Sequence, residues 1–345
     1  MGPLAFDHSK RKFMTSITER LWEYDVVEPG QAAQPTLVTI TAEQIAEYAD
    51  IAQNPDIRYK LGNGSEEYGA APVPMPTMAV SYAPLLRPEI AENNGFVALE
   101  HSRTARRQTP FAKCEARWFR PAFVGDTITG VGRVLEKYER RGSKFVTFRI
   151  EAENQRGEPV GRYDYTCIFE YAHGQRAAPG DEVTAVFPRT ESPALKPAPS
   201  QPLTFEEVRV GDSLAELAIT ESQEIINRKS DFRLAGKPSE SNIHNDEEFA
   251  RQNIFGGTVN AGPATMSYVD QMLELSFPLK AFYSGGSLLM RAITPFRSGD
   301  TVTFGGEITG KREENNRGLV ECRVKGINQR GDLVCLADAV MVFGE

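Results

Sequence analysis

Along KFVTFRIEAENQRGEPVGRYDYTCIFEY (144–171) apolar and polar side chains alternate, and the alternation breaks at Gln155-Arg156-Gly157. The same pattern returns in GLVECRVKGINQRGDLVCLADAVMVF (318–343), around Gln329-Arg330-Gly331. A period of two on either side of a glycine-ended turn predicts an antiparallel hairpin at the end of each half of the chain. Upstream of each hairpin the period lengthens. TAEQIAEYADIAQ (41–53) and TESQEIINRKSDFRLAG (220–236) carry apolar residues at helical spacing behind a threonine suited to the N-cap. A helix followed by long antiparallel strands predicts an α+β fold in which a helix covers one face of each sheet.

The two hairpins belong to an internal duplication. Residues 121–157 match residues 295–331 without a gap, and 14 of the 37 positions are identical, where average composition gives roughly two. The shared anchors are Pro121/Pro295, Gly125-Asp126-Thr127/Gly299-Asp300-Thr301 and Asn154-Gln155-Arg156-Gly157/Asn328-Gln329-Arg330-Gly331. Earlier parts match more loosely: YDVVEPG (24–30) resembles FEEVRVG (205–211), and PTM (76–78) resembles ATM (264–266). Between the copies, AAPG and FPRTESPALKPAPSQP read as a surface connection. These features divide the chain into an N-terminal segment (1–22), a first copy (23–172), a linker (173–202) and a second copy (203–345).

Composition narrows the function. A formal charge of −8 over 345 residues is unsuited to gripping a phosphate backbone, so nucleic acid is not an expected partner. No apolar run approaches the roughly 18 residues that span a bilayer, and the start of the chain lacks the order of charge and hydrophobicity of a secretory signal. No membrane partner and a cytoplasmic location are therefore expected. The four cysteines, Cys114, Cys167, Cys322 and Cys335, sit in strand-like contexts without metal-ligand spacing and read as small buried residues. Neither a metal nor a redox cofactor is expected.

The order helix, polar loop, His244, DEEFA, FGG, a helix of small residues, and then P-x-x-x-GDT before a long hairpin resembles the MaoC-like hydratases and dehydratases, the hydratase 2 family. The first copy resembles the FAS1-like dehydratase domain. The resemblance implies two hot-dog folds packed as a pseudo-dimer, each a curved antiparallel sheet wrapped around a central helix, with His244 at the start of the central helix of the second copy. It also implies an enzyme: reversible hydration of a trans-2-enoyl thioester, of coenzyme A, to a 3-hydroxyacyl thioester.

The family motif runs approximately G-D-x-N-P-[IL]-H and is followed by G-x-I-A-H-G. Here Ile243-His244 matches its end and Asp246 to Ala250 match the helix start that follows. The motif's aspartate position holds Lys237 or Ser239, depending on the end from which it is aligned, and Glu240 is the nearest acid. By resemblance His244 and Glu240 form the acid/base pair, with Asn242 orienting substrate or water. Val259 and Gly262 match the second block, in which Ala261 stands at the family's second histidine. Gly262 is the expected oxyanion donor, with Asn260 beside it as a substrate-binding residue. The first copy retains Asn54-Pro55 but no histidine and is expected to shape the acyl site rather than supply chemistry.

Other candidates carry less signal. His8, His101 and His173 read as surface residues, and Arg103, Arg106 and Arg107 as either a solvated basic loop or a contact to coenzyme A phosphates. Because the family aspartate is missing, two other readings stay open: a lyase, dehydratase or isomerase of the same fold acting on a cyclic or branched substrate, and a non-catalytic acyl-binding or partner subunit. Homo-oligomerisation is compatible with each.

Overall fold

A computed structural model describes residues 19–172, 194–237 and 241–344. The N-terminal segment up to residue 18 and most of the linker, residues 173–193, lie outside the described residues. The first copy contains β1 (Thr36–Thr39), α1 (Ala42–Ile51), α2 (Ala79–Tyr82), α3 (Arg87–Asn93), β2 (Phe111–Trp118), β3 (Thr127–Arg140), β4 (Ser143–Glu153) and β5 (Pro159–Glu170). The second contains β6 (Leu217–Thr220), α4 (Gln223–Asp231), α5 (Glu247–Gln252), α6 (Gly262–Glu274), α7 (Leu279–Tyr283), β7 (Ser287–Ala292), β8 (Thr301–Glu314), β9 (Arg317–Asn328) and β10 (Leu333–Phe343).

All ten strands join one antiparallel sheet in the order β1-β3-β4-β5-β2-β7-β10-β9-β8-β6. Read outward from the centre, the halves have the same order. They meet edge to edge where β2 pairs with β7, from Lys113 opposite Arg291 to Arg117 opposite Ser287. This pairing satisfies the backbone groups of two strands that would otherwise be open edges. The expected α+β double hot-dog, two wrapped sheets joined as a pseudo-dimer, is the observed architecture.

The repeated anchors make the same bonds in both copies. Asp126 accepts from the Phe123 N–H at 2.9 Å and from Gln155 at 2.8 Å; Asp300 accepts from the Arg297 N–H at 3.1 Å and from Gln329 at 3.3 Å. Asn154 and Asn328 each receive two backbone N–H groups of their hairpin turns. Gly157 and Gly331 hold φ of +72° and +88° there, a region that glycine enters without steric cost.

Thr41 caps α1 through a capping box with Gln44, as the sequence predicts. In the second copy the cap is Ser222, whose side chain accepts from the Ile225 N–H. Thr220 instead ends β6 and meets Thr301 at 2.8 Å, just as Thr39 meets Thr127 in the first copy at 3.0 Å. The two central helices differ in length. The first copy has only a 3₁₀ turn, Pro76–Met78, followed by α2. The second has the 13-residue α6, buried at every position from Thr265 to Glu274.

Candidate active site

His244 does not open the central helix. It lies in a turn ahead of α5, a short helix capped by Asp246, and the central helix begins 18 residues later at Gly262. The turn is held by Asn242, whose side-chain oxygen accepts from the His244 N–H at 2.8 Å while its amide donates to Ser230 at 3.0 Å. Gln223 of α4 donates to the His244 carbonyl at 2.8 Å. Asn242 is buried and borders neither cavity described below; its bond to the His244 N–H helps to position the histidine.

The imidazole has a defined tautomer. Its Nδ1 lies 2.8 Å from the Val259 carbonyl oxygen, which can only accept, so Nδ1 carries the hydrogen and Nε2 keeps its lone pair. Burial pushes the imidazole pKa below its ordinary value; the bond to Val259 opposes this, and the charges of Arg87 and Arg233 add to it. The neutral form is therefore favoured at neutral pH.

His244 forms part of the wall of two adjoining cavities. The first, about 250 Å³, lies between the copies under Tyr48, Tyr163, Phe232 and the first turn of α6. The second, about 390 Å³, is bordered by Phe111, Asn260, Gly262 and Thr265. Arg87 and Tyr165, both from the first copy, are shared by the two cavities with His244.

Gly262 opens α6, and its N–H has no acceptor among the described residues, since the first helical hydrogen bond there is Thr265 N–H to the Ala261 carbonyl. A Cβ at this position would fall 2.2 Å from the ring of Phe111, so the first copy leaves room here only for glycine. Asn260 is buried, turns its side-chain oxygen to the Ala261 N–H at 3.0 Å and borders the second cavity. Together His244, Asn260 and Gly262 face one cavity. Glu240 lies outside the described residues.

Arg87 and Tyr165 were not legible as site residues in the sequence, and Arg106 was read only as part of a solvated basic loop or a coenzyme A contact. Arg87 is pinned by Glu100 at 3.0 Å and donates to the Thr109 carbonyl at 2.8 Å. Arg106, in the basic cluster, donates to the Ser241 carbonyl at 2.6 Å and stacks 4.1 Å from the Phe249 ring centroid. It clamps the histidine turn from the other copy. No periodicity marks such residues, because their significance arises only where the two copies meet. His101 is exposed, and His8 and His173 lie outside the described residues. All four cysteines are buried and free.

In the first copy Asp56 holds a similar place in its turn: its N–H bonds to Asn54 as that of His244 does to Asn242. There Asp56 pairs with Arg58 at 2.9 Å, and Arg58 with Glu274 of α6 at 2.8 Å. Tyr59 also donates to Glu274, at 2.6 Å, and Thr77 donates through N–H and hydroxyl to Asp270. The His244 turn borders two cavities, whereas the Asp56 turn joins an ionic cluster with α6.

Among the described residues no group of three or more His, Cys, Asp or Glu side chains could hold a metal ion, and no helix is long and apolar enough to cross a membrane. No protein-family model and no curated protein matches the chain. Solved structures do. A MaoC-like dehydratase is 17% identical, covers 91% of this chain and 99% of its own, and superposes with a TM-score of 0.63. A putative MaoC domain protein dehydratase from Chloroflexus aurantiacus is 14% identical, with coverage of 95% and 99% and a TM-score of 0.63. A conserved hypothetical protein from Mycobacterium tuberculosis, described as having a double hot-dog fold, is 15% identical, with coverage of 93% and 98% and a TM-score of 0.58. The chain thus has the double hot-dog fold of the MaoC-like dehydratases.

Proposed function

We propose that the chain is a hydratase/dehydratase that adds water reversibly to a trans-2-enoyl thioester of coenzyme A, giving the 3-hydroxyacyl thioester. The observation that carries this reading is the His244 tautomer: with Nδ1–H fixed on Val259, Nε2 is left as the basic nitrogen of a residue that shares a cavity with Gly262, whose N–H has no acceptor among the described residues. Nε2 takes a proton from water as the oxygen bonds to C3, and the C2–C3 π electrons move onto the thioester oxygen. The Gly262 N–H, fixed at the positive end of α6, stabilises that enolate oxygen. The proton on Nε2 then passes to C2, which restores the neutral imidazole. The MaoC-like dehydratase structures of the same fold favour the same reaction class.

Assay with crotonyl-CoA and longer enoyl-CoAs in deuterium oxide tests the reading through both hydration and deuterium incorporation at C2. Loss of both in H244A supports it. Undiminished turnover in H244A removes the mechanism. A second reading, the same fold acting on a different acyl group, is favoured by the positively charged side chains around the first cavity.

A further inference from the structure

Among the described residues, the charged side chains bordering the two cavities are Arg87, Lys229 and Arg233, together with the titratable His244; no aspartate or glutamate borders either. Two of the three cations already have counter-ions. Arg87 is paired with Glu100 at 3.0 Å and Lys229 with the buried Glu221 at 2.9 Å, and Lys229 also bonds to the Tyr268 hydroxyl.

Arg233 differs. It follows α4 at the rim of the first cavity, exposed to solvent, and makes no ion pair or hydrogen bond among the described residues. Glu89 and Asp231 act on its charge from beyond contact distance, and burial lowers its pKa from the ordinary arginine value. Its charge in turn depresses the His244 pKa. A guanidinium exposed at a cavity rim and engaged by no described side chain keeps its donors available to an anion. Its planar donor fork fits a carboxylate through two parallel hydrogen bonds.

We propose that the acyl group of the substrate carries a carboxylate of its own, bound in the first cavity by Arg233, so that the substrate is the monothioester of an unsaturated or 3-hydroxy dicarboxylic acid. The proposal rests on the hydratase reading and narrows its substrate class. The phosphates of coenzyme A offer similar chemistry, but the pantetheine arm separates them from the thioester. Arg233 borders the same cavity as His244, the base that is to activate water against the acyl chain, which places its anion on the acyl side.

The test compares enoyl thioesters of equal length with and without a terminal carboxylate, each as the coenzyme A and as the phosphate-free pantetheine thioester, in wild type and R233Q. A charge-assisted hydrogen bond contributes about 1.5–3 kcal/mol, roughly 10- to 100-fold. The wild type is expected to favour the carboxylate-bearing substrate by that factor in kcat/KM in both thioester series, and R233Q to lose most of the preference. No preference in the wild type overturns the proposal. So does an R233Q defect that is equal for both acyl groups with coenzyme A and absent with pantetheine, which makes Arg233 a phosphate contact. If none of the thioesters turns over, the hydratase reading fails separately. Calorimetric binding of the saturated thioesters then decides: an Arg233-dependent preference for the carboxylate supports the anion site, and its absence overturns it.

Discussion

At the scale of single residues, the site depends on one proton and one missing methyl group. The proton sits on His244 Nδ1 because the Val259 carbonyl can only accept. H244A is expected to fold and to lose about 10²–10⁴ in kcat, measured by steady-state hydration. Because burial and the neighbouring cations lower the imidazole pKa, protonation inactivates the base only below its ordinary titration range. The acid limb of kcat/KM against pH should therefore lie below about 6.5. Removing Arg87 together with its partner, as in R87M/E100Q, should move that limb upward, since a positive charge that disfavours the imidazolium has gone. The missing methyl is that of Gly262. G262A places Cβ 2.2 Å from the Phe111 ring, and overpacking of this kind costs about 1–3 kcal/mol. In denaturant unfolding, G262A/F111A should recover part of that loss; a double variant no more stable than G262A would mean that Phe111 is not the obstacle.

At the scale of elements, the histidine turn is held from outside its own copy. Arg106 grips the Ser241 carbonyl and covers Phe249, and the Gln108 N–H reaches Asn253 at 3.4 Å. R106A is expected to raise amide hydrogen exchange across residues 241–252 and to lower kcat severalfold, while the hairpins keep their protection; unchanged exchange would show that the turn holds itself. This element also marks the limit of what the sequence disclosed. Hairpins, α1 and the duplication were legible because alternation, caps and turn glycines are local signals. The N-cap of α4 was misplaced by two residues because Thr220 and Ser222 are both good caps, and only pairing with Thr301 assigns the first to a strand. His244 was found by resemblance, but its place ahead of α5 rather than on the central helix was not. Arg87 and Phe111 were invisible: each faces the second copy from the first, and no pattern within one copy encodes that.

At the scale of the whole molecule, the contact between the copies carries its own titration. Asp270 is fully buried, and burial raises its carboxyl pKa to about 6, against the opposing hydrogen bonds from Thr77. Burial likewise raises Glu274, which Arg58 and Tyr59 moderate. A carboxyl group whose pKa is raised on folding contributes stability in its protonated form that is lost as pH climbs from its unfolded value through its folded one. Stability should therefore decline between about pH 4 and pH 7 on account of Asp270. D270N, which can still accept from Thr77, should show a smaller decline by urea unfolding at pH 5 and 7.5; an identical dependence would exclude Asp270 as its source. The same cluster bears on how many substrate molecules one chain is expected to bind. A two-fold dimer of single hot dogs presents the same turn twice, whereas this chain has His244 in one turn and, in the other, Asp56 ion-paired with Arg58, which also pairs with Glu274. Titration with a tight-binding substrate analogue should saturate at one equivalent per chain. The halves that share a backbone order thus differ at this turn, one setting a histidine beside two cavities and the other tying an aspartate into an ionic cluster.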